Sequence, residues 1–363
     1  MNKNILIIGS TGKLGTSLLK YCYSNQLKIS CITCFTNKTK LHNQKKRNSI
    51  NNYFSLNDTY DESLFIRYLI KSKFKIIYFL DYGYQSLKYL DIILKNNTNS
   101  YLAIANKELL IAGGRTLLKK INSTKNNLVP LDSEHFSLLR SNISNKNIKK
   151  VFITASGGPF YFDKRIDLNT VNIKQVLKHP KWKMGINNTI DSSNFINKIL
   201  EIYELSIIFN INLDRIHFLI SREAYVHSVV LFEDNTVVLN CFENNMLLTL
   251  IKPLTQIFDS KQLSIKSDKY LNNINLKIEE FSDDRFKISK YMNKLIRLNH
   301  NQQIKFMILN NIAHKRYLDG NLNYNDIIEF IMKRVYLKDL DLNLNSIKNI
   351  LSYAESIKLK YET

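Results

Sequence analysis

Cysteine and proline are scarce in this chain, which has four of each among 363 residues, and it contains only 10 glycines and one tryptophan. So few cysteines exclude the disulfide framework of a small secreted scaffold. No uncharged apolar run reaches the roughly 18 residues that a membrane span requires, and the first residues have a strand pattern rather than that of a signal or transit peptide. We therefore expect a cytoplasmic protein without a membrane span.

Acidic residues are also few, since 31 Asp and Glu face 52 Lys and Arg, which gives a formal net charge of +21. A nucleic-acid-binding protein concentrates its basic residues on one face. Here they are scattered among many Asn, Ile and Tyr residues, a bias typical of AT-rich codon usage, so we expect no nucleic-acid partner. The hydrophobic fraction of 44% and the chain length predict two or three globular domains.

The first third of the chain alternates between strand and helix patterns. Apolar runs of strand length lie at 4–8, 29–35, 75–80 and 101–105, and helical patterns lie at 14–23 and 86–94. This alternation predicts an α/β fold with a doubly wound, Rossmann-type parallel sheet. Cys31 and Cys34 fall in the second apolar run, which favours a buried pair over a redox-active C-x-x-C.

After residue 130 the pattern changes. A strand pattern leads into a turn-rich loop, and a helix is predicted at 194–209 with Asp191 or Ser192 as its cap. Antiparallel strands are predicted at 225–232 and 236–240, and the chain is helical from 285 onward. We therefore expect a doubly wound N-terminal domain, an α+β central domain, a linker and a small helical C-terminal domain, at 1–131, 132–255, 256–284 and 285–363.

A glycine-rich segment follows the first strand pattern and opens the first helix pattern. It reads Gly9-Ser10-Thr11-Gly12-Lys13-Leu14-Gly15, with glycines at the spacing G-x-x-G-x-x-G. Glycine lets the backbone approach a pyrophosphate, and a helix N-terminus supplies amide donors and a positive dipole end. The strand–turn–helix context therefore predicts a dinucleotide-binding loop rather than an ordinary tight turn.

The segment after the second strand pattern discriminates between nicotinamide cofactors. NAD-binding folds usually place Asp or Glu there to bind the ribose 2′-hydroxyl. This chain reads Thr36-Asn37-Lys38-Thr39-Lys40, with no acid. Cationic and hydroxyl groups suit a 2′-phosphate, so NADPH is the predicted cofactor; the alternative is that these lysines belong only to the general lysine excess.

Two acids, Asp132 and Glu134, lie two residues apart after an apolar approach. On an extended segment such residues point the same way, and a shared hard cation relieves their repulsion. Asn197, Lys198 and Glu201 fall on one side of the helix predicted downstream. Glu201 is therefore available as a third acid, with a plain surface ion pair to Lys198 as the alternative.

Two further loops have the composition of ligand-binding segments. Ser156-Gly157-Gly158 follows a strand pattern, where backbone amides and a hydroxyl can seat an anionic oxygen. His179-Pro180-Lys181-Trp182-Lys183-Met184-Gly185 carries the only tryptophan. It fits a lid over a ligand, with a tryptophan packed on the core as the alternative.

Together these segments resemble the 1-deoxy-D-xylulose 5-phosphate reductoisomerase family. The resemblance rests on motifs in a fixed order, which are Gly-Ser-Thr-Gly at 9–12, Ala-Asn-Lys-Glu at 105–108, Asp-Ser-Glu-His at 132–135, Ala-Ser-Gly-Gly-Pro-Phe at 155–160, the 179–185 segment, Asp-Ser at 191–192, Asn-Lys at 197–198 with Glu201, His227-Ser228 and Asp319-Gly320. It is faint around 38–75 and 255–300. The family implies a homodimer that isomerises 1-deoxy-D-xylulose 5-phosphate and reduces it with NADPH to 2-C-methyl-D-erythritol 4-phosphate, in the non-mevalonate isoprenoid pathway.

The resemblance also implies a role for each matching residue. The first domain would bind NADPH, and the central domain would be catalytic. The implied ligands of Mg²⁺ or Mn²⁺ are Asp132, Glu134 and Glu201, which with Lys107 and His179 make up the expected catalytic group. The residues expected at the substrate are Ser133, Glu134, Ser156, His179, Trp182, Met184, Ser192, Asn197, Lys198 and Glu201. Those expected at the cofactor are Gly9, Ser10, Thr11, Gly12, Lys13, Leu14, Asn37, Lys38, Asn106, Lys107, Glu108 and Gly185.

Several positions depart from the family pattern. The first histidine of the family's His-Pro-x-Ser-x-x-His-Ser segment is Ser221 here, and its Asn-Glu is Asn310-Asn311. Lys13 replaces a small residue, and Tyr82-Gly83-Tyr84 replaces an apolar, glycine-rich stretch. Two alternatives therefore stay open, namely an NADP-dependent oxidoreductase of the semialdehyde dehydrogenase type and a decayed, non-catalytic relative that binds nucleotide.

Overall fold

The computed structural model describes residues 4–139, 147–178, 185–258, 276–339 and 342–362, and it separates into two compact units. The first unit comprises the described residues of Met1–Phe136 and Asn245–Asn272, and the second those of Ser137–Asn244 and Asn273–Thr363. This division differs from the four segments expected from the sequence. The helix at 246–255 belongs to the first unit, and the C-terminal helices belong to the second.

The first unit has the predicted doubly wound architecture. Its strands are β1 (Ile5–Ile8), β2 (Cys31–Cys34), β3 (Asn52–Ser55), β4 (Ile76–Phe79), β5 (Tyr101–Ile104) and β6 (Asn127–Pro130). Its helices are α1 (Lys13–Ser24), α2 (Lys38–Asn48), α3 (Thr59–Lys71), α4 (Leu87–Asn96), α5 (Lys107–Ser123), the start of α6 (Ser133–Leu138) and α10 (Met246–Thr255). The six strands pair in the order β3-β2-β1-β4-β5-β6, and every pairing is parallel.

The centre of this sheet is buried on both faces. All four residues of β1 and of β4 are fully buried, as continuous apolar strands require when helices cover both sides. The strand order reverses between β1 and β4, and ligands of such sheets bind in the crevice beyond the carboxyl ends of these two strands. Helix α10 joins the core of this unit, where the Tyr78 hydroxyl donates to the Leu250 carbonyl at 2.7 Å.

The second unit contains a mixed sheet and a helical region. Its strands are β7 (Ile148–Ala155), β8 (Ile216–Ile220), β9 (Val226–Phe232), β10 (Val237–Cys241) and β11 (Glu279–Glu280), in the order β10-β9-β7-β8-β11. Its helices are α7 (Ile173–Val176), α8 (Ile186–Ser193), α9 (Ile196–Phe209), α11 (Met292–Leu295), α12 (His300–Leu318), α13 (Ile327–Val335) and α14 (Ile347–Glu362). The pairing of β7 with β8 is parallel, and the others are antiparallel.

The predicted cap of the 194–209 helix is wrong. Asp191 and Ser192 lie inside α8, whereas α9 begins after Phe195, which adopts a left-handed conformation with φ +66° and makes no side-chain cap. The left-handed residue turns the chain between two consecutive helices, so an Asp-Ser pair that resembles a cap instead ends the preceding helix. No helix of the described segments is long and apolar enough to cross a membrane.

Candidate active site

The glycine loop closes tightly around the end of β1. Gly9 has φ +84°, and a Cβ built there would lie 2.6 Å from the Asp81 backbone nitrogen. A Cβ on Gly15 would lie 2.6 Å from the Gly9 carbonyl oxygen. Both positions therefore need glycine, which lets β1, the loop and α1 approach one another as a dinucleotide-binding turn requires.

The start of α1 is suited to an anionic ligand. Gly12 is the N-cap residue, makes no side-chain cap, and is followed by a first turn without an acidic residue. No carboxylate in that turn therefore neutralises the positive end of the helix dipole. Ser10, which is expected at the cofactor, has a buried hydroxyl that donates to Gln44 Oε1 at 2.8 Å. The loop fits a pyrophosphate through its backbone.

Contrary to the expectation from the sequence, an acid does lie near the residues after β2. Asn37 caps α2 by accepting a hydrogen bond from the Lys40 backbone amide. Lys38 Nζ lies 3.0 Å from Asp58 Oδ2, because Asp58, the cap of α3, reaches this point from the end of β3. Both side chains are exposed. Exposed ion pairs contribute little to stability, so Lys38 can exchange Asp58 for a phosphate.

Two polar residues converge at the carboxyl ends of β4 and β5. Asn106 caps α5 and donates to the Gly83 carbonyl at 2.8 Å and to Asp81 Oδ2 at 3.2 Å. Burial raises the pKa of Asp81 to about 6, against the opposing effect of hydrogen bonds from Ser86 and Asn106. The sequence interpretation missed Asp81, although an acid directly after a strand of this sheet was a signal that was available.

Asp132 lies at the start of α6 beside a lysine and a histidine. Lys107 Nζ is 3.2 Å from Asp132 Oδ2, and His135 Nδ1 is 3.3 Å from Oδ1. Burial acts to raise the pKa of Asp132, but the charge of Lys107 and the hydrogen bond from His135 hold it well below its usual value. The carboxylate is therefore kept ionised, as a metal ligand must be.

The acidic segment is not extended as expected. Ser133 and Glu134 already belong to the first turn of α6, and the Ser133 hydroxyl donates to the Glu134 carboxylate. The Glu134 amide donates to Asp132 Oδ1 at 3.3 Å, and the Phe136 amide donates to the Asp132 carbonyl at 2.8 Å. Asp132 thus caps a short helix, and this capping, rather than a strand pleat, holds the two acids side by side.

The second unit contains the third predicted acid. Glu201 on α9 is 1% exposed, and it accepts hydrogen bonds from Asn197 and from Lys198 Nζ, the latter at 2.6 Å. This confirms the predicted helix face and excludes the surface ion pair, because both members of the Lys198–Glu201 pair are buried. Oxygen donors of this kind suit Mg²⁺ or Mn²⁺, so Asp132, Glu134 and Glu201 are chemically fit for such an ion.

The loop after β7 lies against the end of α8. Gly157 and Gly158 have φ +87° and +59°, and a Cβ on Gly158 would lie 3.1 Å from the Ser192 carbonyl oxygen. Ser156 and Ser192 are both half-buried. Within the second unit the fold thus places Ser192 against the loop that Ser156 begins.

Two buried polar side chains approach Asp191, the residue before Ser192. The neighbouring Asp191 is 1% exposed, accepts a hydrogen bond from Asn310 at 2.8 Å, and lies 2.9 Å from His314 Nε2. The sequence analysis did not find this contact, because 119 residues separate Asp191 from Asn310. Ser221, at the position of the missing histidine, is fully buried, and its amide donates to the Ala155 carbonyl.

The remaining predicted residues are placed less informatively. Among the cofactor candidates, Thr11 and Leu14 are half-buried, Lys13 and Gly185 are exposed, and Glu108 is buried. Gly185 precedes α8 as its N-cap residue. The predicted lid with His179, Trp182 and Met184 lies outside the described residues.

Comparison with known proteins places these features in one family. The model of the 1-deoxy-D-xylulose 5-phosphate reductoisomerase C-terminal domain matches residues 128–209. A 1-deoxy-D-xylulose 5-phosphate reductoisomerase of Pelagibacter ubique is 33% identical over 391 residues, covering 98% of this chain and 98% of its own length. One of Clostridium novyi is 28% identical, with 99% of both chains covered.

Solved structures agree at the level of the fold. A DOX-P reductoisomerase in complex with NADPH, fosmidomycin and magnesium superposes with a TM-score of 0.84 at 22% identity, covering 99% of this chain and 97% of that one. The 1-deoxy-D-xylulose 5-phosphate reductoisomerase of Zymomonas mobilis, in complex with NADPH, gives 0.83 at 20% identity, covering 100% and 98%.

A six-stranded parallel sheet with a glycine loop at its switch point defines the class of dinucleotide-binding proteins with a doubly wound fold. The full-length relative at 33% identity narrows this class. The chain belongs to the 1-deoxy-D-xylulose 5-phosphate reductoisomerase family. That membership favours the reductoisomerase reading over an enzyme of the semialdehyde dehydrogenase type.

Proposed function

We propose that this protein converts 1-deoxy-D-xylulose 5-phosphate to 2-C-methyl-D-erythritol 4-phosphate in the pathway to isoprenoid precursors, using NADPH and Mg²⁺ or Mn²⁺. The observation that carries the proposal is the match to a reductoisomerase at 33% identity over 98% of both chains. The reaction has two stages. A carbon–carbon bond migrates to give a branched aldehyde, and a hydride from NADPH with a proton then reduces that aldehyde.

We assign the first unit to NADPH. The loop from Gly9 to Leu14 binds the pyrophosphate through backbone amides, and Asn37 with Lys38 binds the 2′-phosphate. Asn106 and Glu108 lie towards the nicotinamide. The tight packing of Gly9 against Asp81 supports this assignment, as does the exposure of Lys38, whose ion pair with Asp58 lies at the surface.

We assign the divalent ion to the three carboxylates that the family resemblance implies, namely Asp132, Glu134 and Glu201. When bound, the ion supplies the positive charge that polarises the ketone and hydroxyl oxygens of the substrate. The support is that Asp132 and Glu201 are each paired with a lysine, Lys107 and Lys198 respectively. The charge of Lys107 also helps to keep Asp132 ionised, as a metal ligand must be.

The two lysines have further roles in this assignment. Lys198, released from Glu201, binds the substrate phosphate together with Ser156, Ser192 and Asn197. Lys107 orients a reacting hydroxyl near Ser133 and holds a proton at its ammonium group. Support comes from the second unit, where Ser192 approaches the Ser156–Gly158 loop and Lys198 lies on the same helix face as Glu201.

Substrate-dependent oxidation of NADPH tests the proposal. Purified protein mixed with 1-deoxy-D-xylulose 5-phosphate and NADPH should consume NADPH only when Mg²⁺ or Mn²⁺ is present, and NADPH should be preferred over NADH. A folded preparation that binds NADPH but shows no metal-dependent turnover would identify the decayed, non-catalytic relative instead.

We further propose that the enzyme is a cytoplasmic homodimer without a nucleic-acid or membrane partner. Strand β10 is an edge of its sheet, and Val237, Val238 and Leu239 on it are 51%, 38% and 44% exposed. An exposed apolar edge invites pairing with another strand. Two copies of one edge can pair antiparallel about a twofold axis, so a second copy of this chain is the proposed occupant.

The oligomeric state tests this surface. Light scattering after gel filtration should give twice the chain mass of 42.5 kDa. Leu239→Lys should shift the protein towards the monomer, whereas Leu359→Lys, at a residue 64% exposed on α14, should not. A monomeric wild-type protein would contradict the proposed dimer. A dimer that Leu239→Lys leaves intact would place the interface on another surface.

A further inference from the structure

Asp81 occupies the crevice at the switch point of the parallel sheet. It follows β4, whose neighbour β1 runs into the glycine loop, and its backbone nitrogen packs against Gly9. Its side chain contacts Asn106. Lys107, the residue after Asn106, pairs with Asp132. Asp81 therefore lies between the loop that fits a pyrophosphate and the Lys107–Asp132 pair at which we expect the chemistry.

The two oxygens of this carboxylate are used differently. Oδ2 accepts hydrogen bonds from the Ser86 hydroxyl and from Asn106 Nδ2. Oδ1 is buried and accepts no hydrogen bond from any other described residue, while the backbone amide of Asp81 itself acts on the carboxylate and lowers its pKa. Buried acceptors in folded proteins almost always have a donor, so an orphan at a ligand crevice points to a donor on the ligand. Burial raises the pKa of Asp81 to about 6, which leaves it ionised at pH 8 as a charged acceptor.

The chemistry of a dinucleotide limits which of its groups can donate here. Phosphate oxygens are anionic acceptors, and a carboxylate repels them. Between the pyrophosphate and the nicotinamide, the cofactor carries one ribose with two hydroxyls, and hydroxyls donate. On the basis of the proposed function, we propose that Asp81 Oδ1 accepts a hydrogen bond from a hydroxyl of the nicotinamide-side ribose. Asp81 is thus a cofactor-positioning residue.

Calorimetric titration with two ligands at pH 8 tests the assignment without turnover. NADPH contains the nicotinamide-side ribose, whereas adenosine 2′,5′-bisphosphate lacks it and contains the 2′-phosphate. Asp81→Ala should weaken NADPH binding by about 10- to 100-fold, the range expected when a hydrogen bond to a charged acceptor is lost. Its affinity for the bisphosphate should stay within twofold of the wild type.

The second variant, Asp81→Asn, guards against a failure of the alanine variant to fold, because it keeps an acceptor for Ser86 and Asn106. It replaces a charged acceptor with a neutral amide, so a smaller but selective loss of NADPH affinity is expected. Equal loss for both ligands, or NADPH affinity within twofold of the wild type in both variants, would overturn the assignment. A wild-type protein that binds neither ligand would refute the proposed function itself.

Discussion

The glycine loops after β1 and after β7, one in each unit, differ in how much of a candidate binding site each contains. The loop at Gly9–Gly15 leads directly into a 12-residue helix, so the strand end, the loop and the helix N-terminus form one contiguous candidate site for an anion. The loop at Ser156–Gly158 contributes only part of a site, and Ser192 approaches it from a separate helix. A contiguous site is recognisable from one sequence motif, whereas an assembled site depends on the fold.

The largest expected effect is on kcat and follows from a substitution in the second unit. Glu201→Gln should lower kcat on the order of 1,000-fold, because it removes a charged oxygen from the proposed metal site and with it several kcal/mol of charge stabilisation. NADPH affinity should change less than twofold. Steady-state kinetics and calorimetric NADPH titration measure the two quantities.

A matched control for this variant is Glu329→Gln. The carboxylate of Glu329 pairs with Lys287 in the same unit. The control should leave both quantities unchanged. If NADPH binding collapsed in Glu201→Gln, the assignment of α9 to the metal site would be wrong.

The next prediction compares one glycine substitution in each of the two loops. Gly9→Ala should weaken NADPH binding by about 10- to 100-fold, since its Cβ would overlap the Asp81 backbone and the φ of +84° disfavours alanine. Gly158→Ala should instead raise KM for the sugar phosphate and leave the NADPH affinity unchanged. Calorimetry and initial-rate kinetics would record both.

Gly320→Ala is the matched control, because Gly320 has φ +78° and open space around its would-be Cβ. It isolates the conformational cost, so its binding constants should equal those of the wild type while its stability falls slightly. Loss of NADPH affinity in Gly158→Ala would contradict the separation of the two loops.

The same contrast explains which parts of the structure could be predicted from the sequence. The order of strands and helices around Gly9–Gly15 followed from local patterns, because the strands of a doubly wound sheet are continuous apolar runs. The weak patterns between 38 and 75 did not reveal α2, β3 and α3, and therefore not the ion pair between Lys38 and Asp58.

In the second unit, spacing predicted the shared helix face of Asn197, Lys198 and Glu201, whereas the roles expected of these residues came from the family resemblance. Asp191 contacts Asn310 and His314 across more than 100 positions, and no periodicity encodes such a contact. The cap prediction at Asp191 failed for a related reason. Phe195 adopts a left-handed conformation that its sequence does not announce.

A third prediction concerns the carboxylate beneath the first loop. In the folded protein, burial raises the pKa of Asp81 from 3.8 to about 6, so the folded state binds the proton more tightly than the unfolded state. Stability therefore falls as pH rises through this window, and the loss is complete above it. Asp81→Asn should raise the free energy of unfolding at pH 8 by up to about 3 kcal/mol.

This gain should shrink below pH 6 and vanish below pH 4, and urea unfolding of the ligand-free protein at several pH values would measure it. Asp91→Asn is the control, because Asp91 pairs with Lys95 and Lys120 and its pKa is lowered. That variant should lose stability at neutral pH. A pH-independent gain for Asp81→Asn would show that repacking, rather than the charge, causes it.

The smallest effect concerns cofactor choice, which the contiguous loop does not itself determine because a pyrophosphate is common to both dinucleotides. Lys38→Ala should weaken NADPH binding by roughly 10-fold, the scale of one charge-assisted hydrogen bond to phosphate, and leave NADH binding unchanged. Asp58→Asn keeps the α3 cap but frees Lys38 from its ion pair. It should therefore strengthen NADPH binding by about twofold, in keeping with the small energy of an exposed pair. If both variants shifted NADPH and NADH equally, Lys38 would act through the general field of a basic surface rather than on the 2′-phosphate.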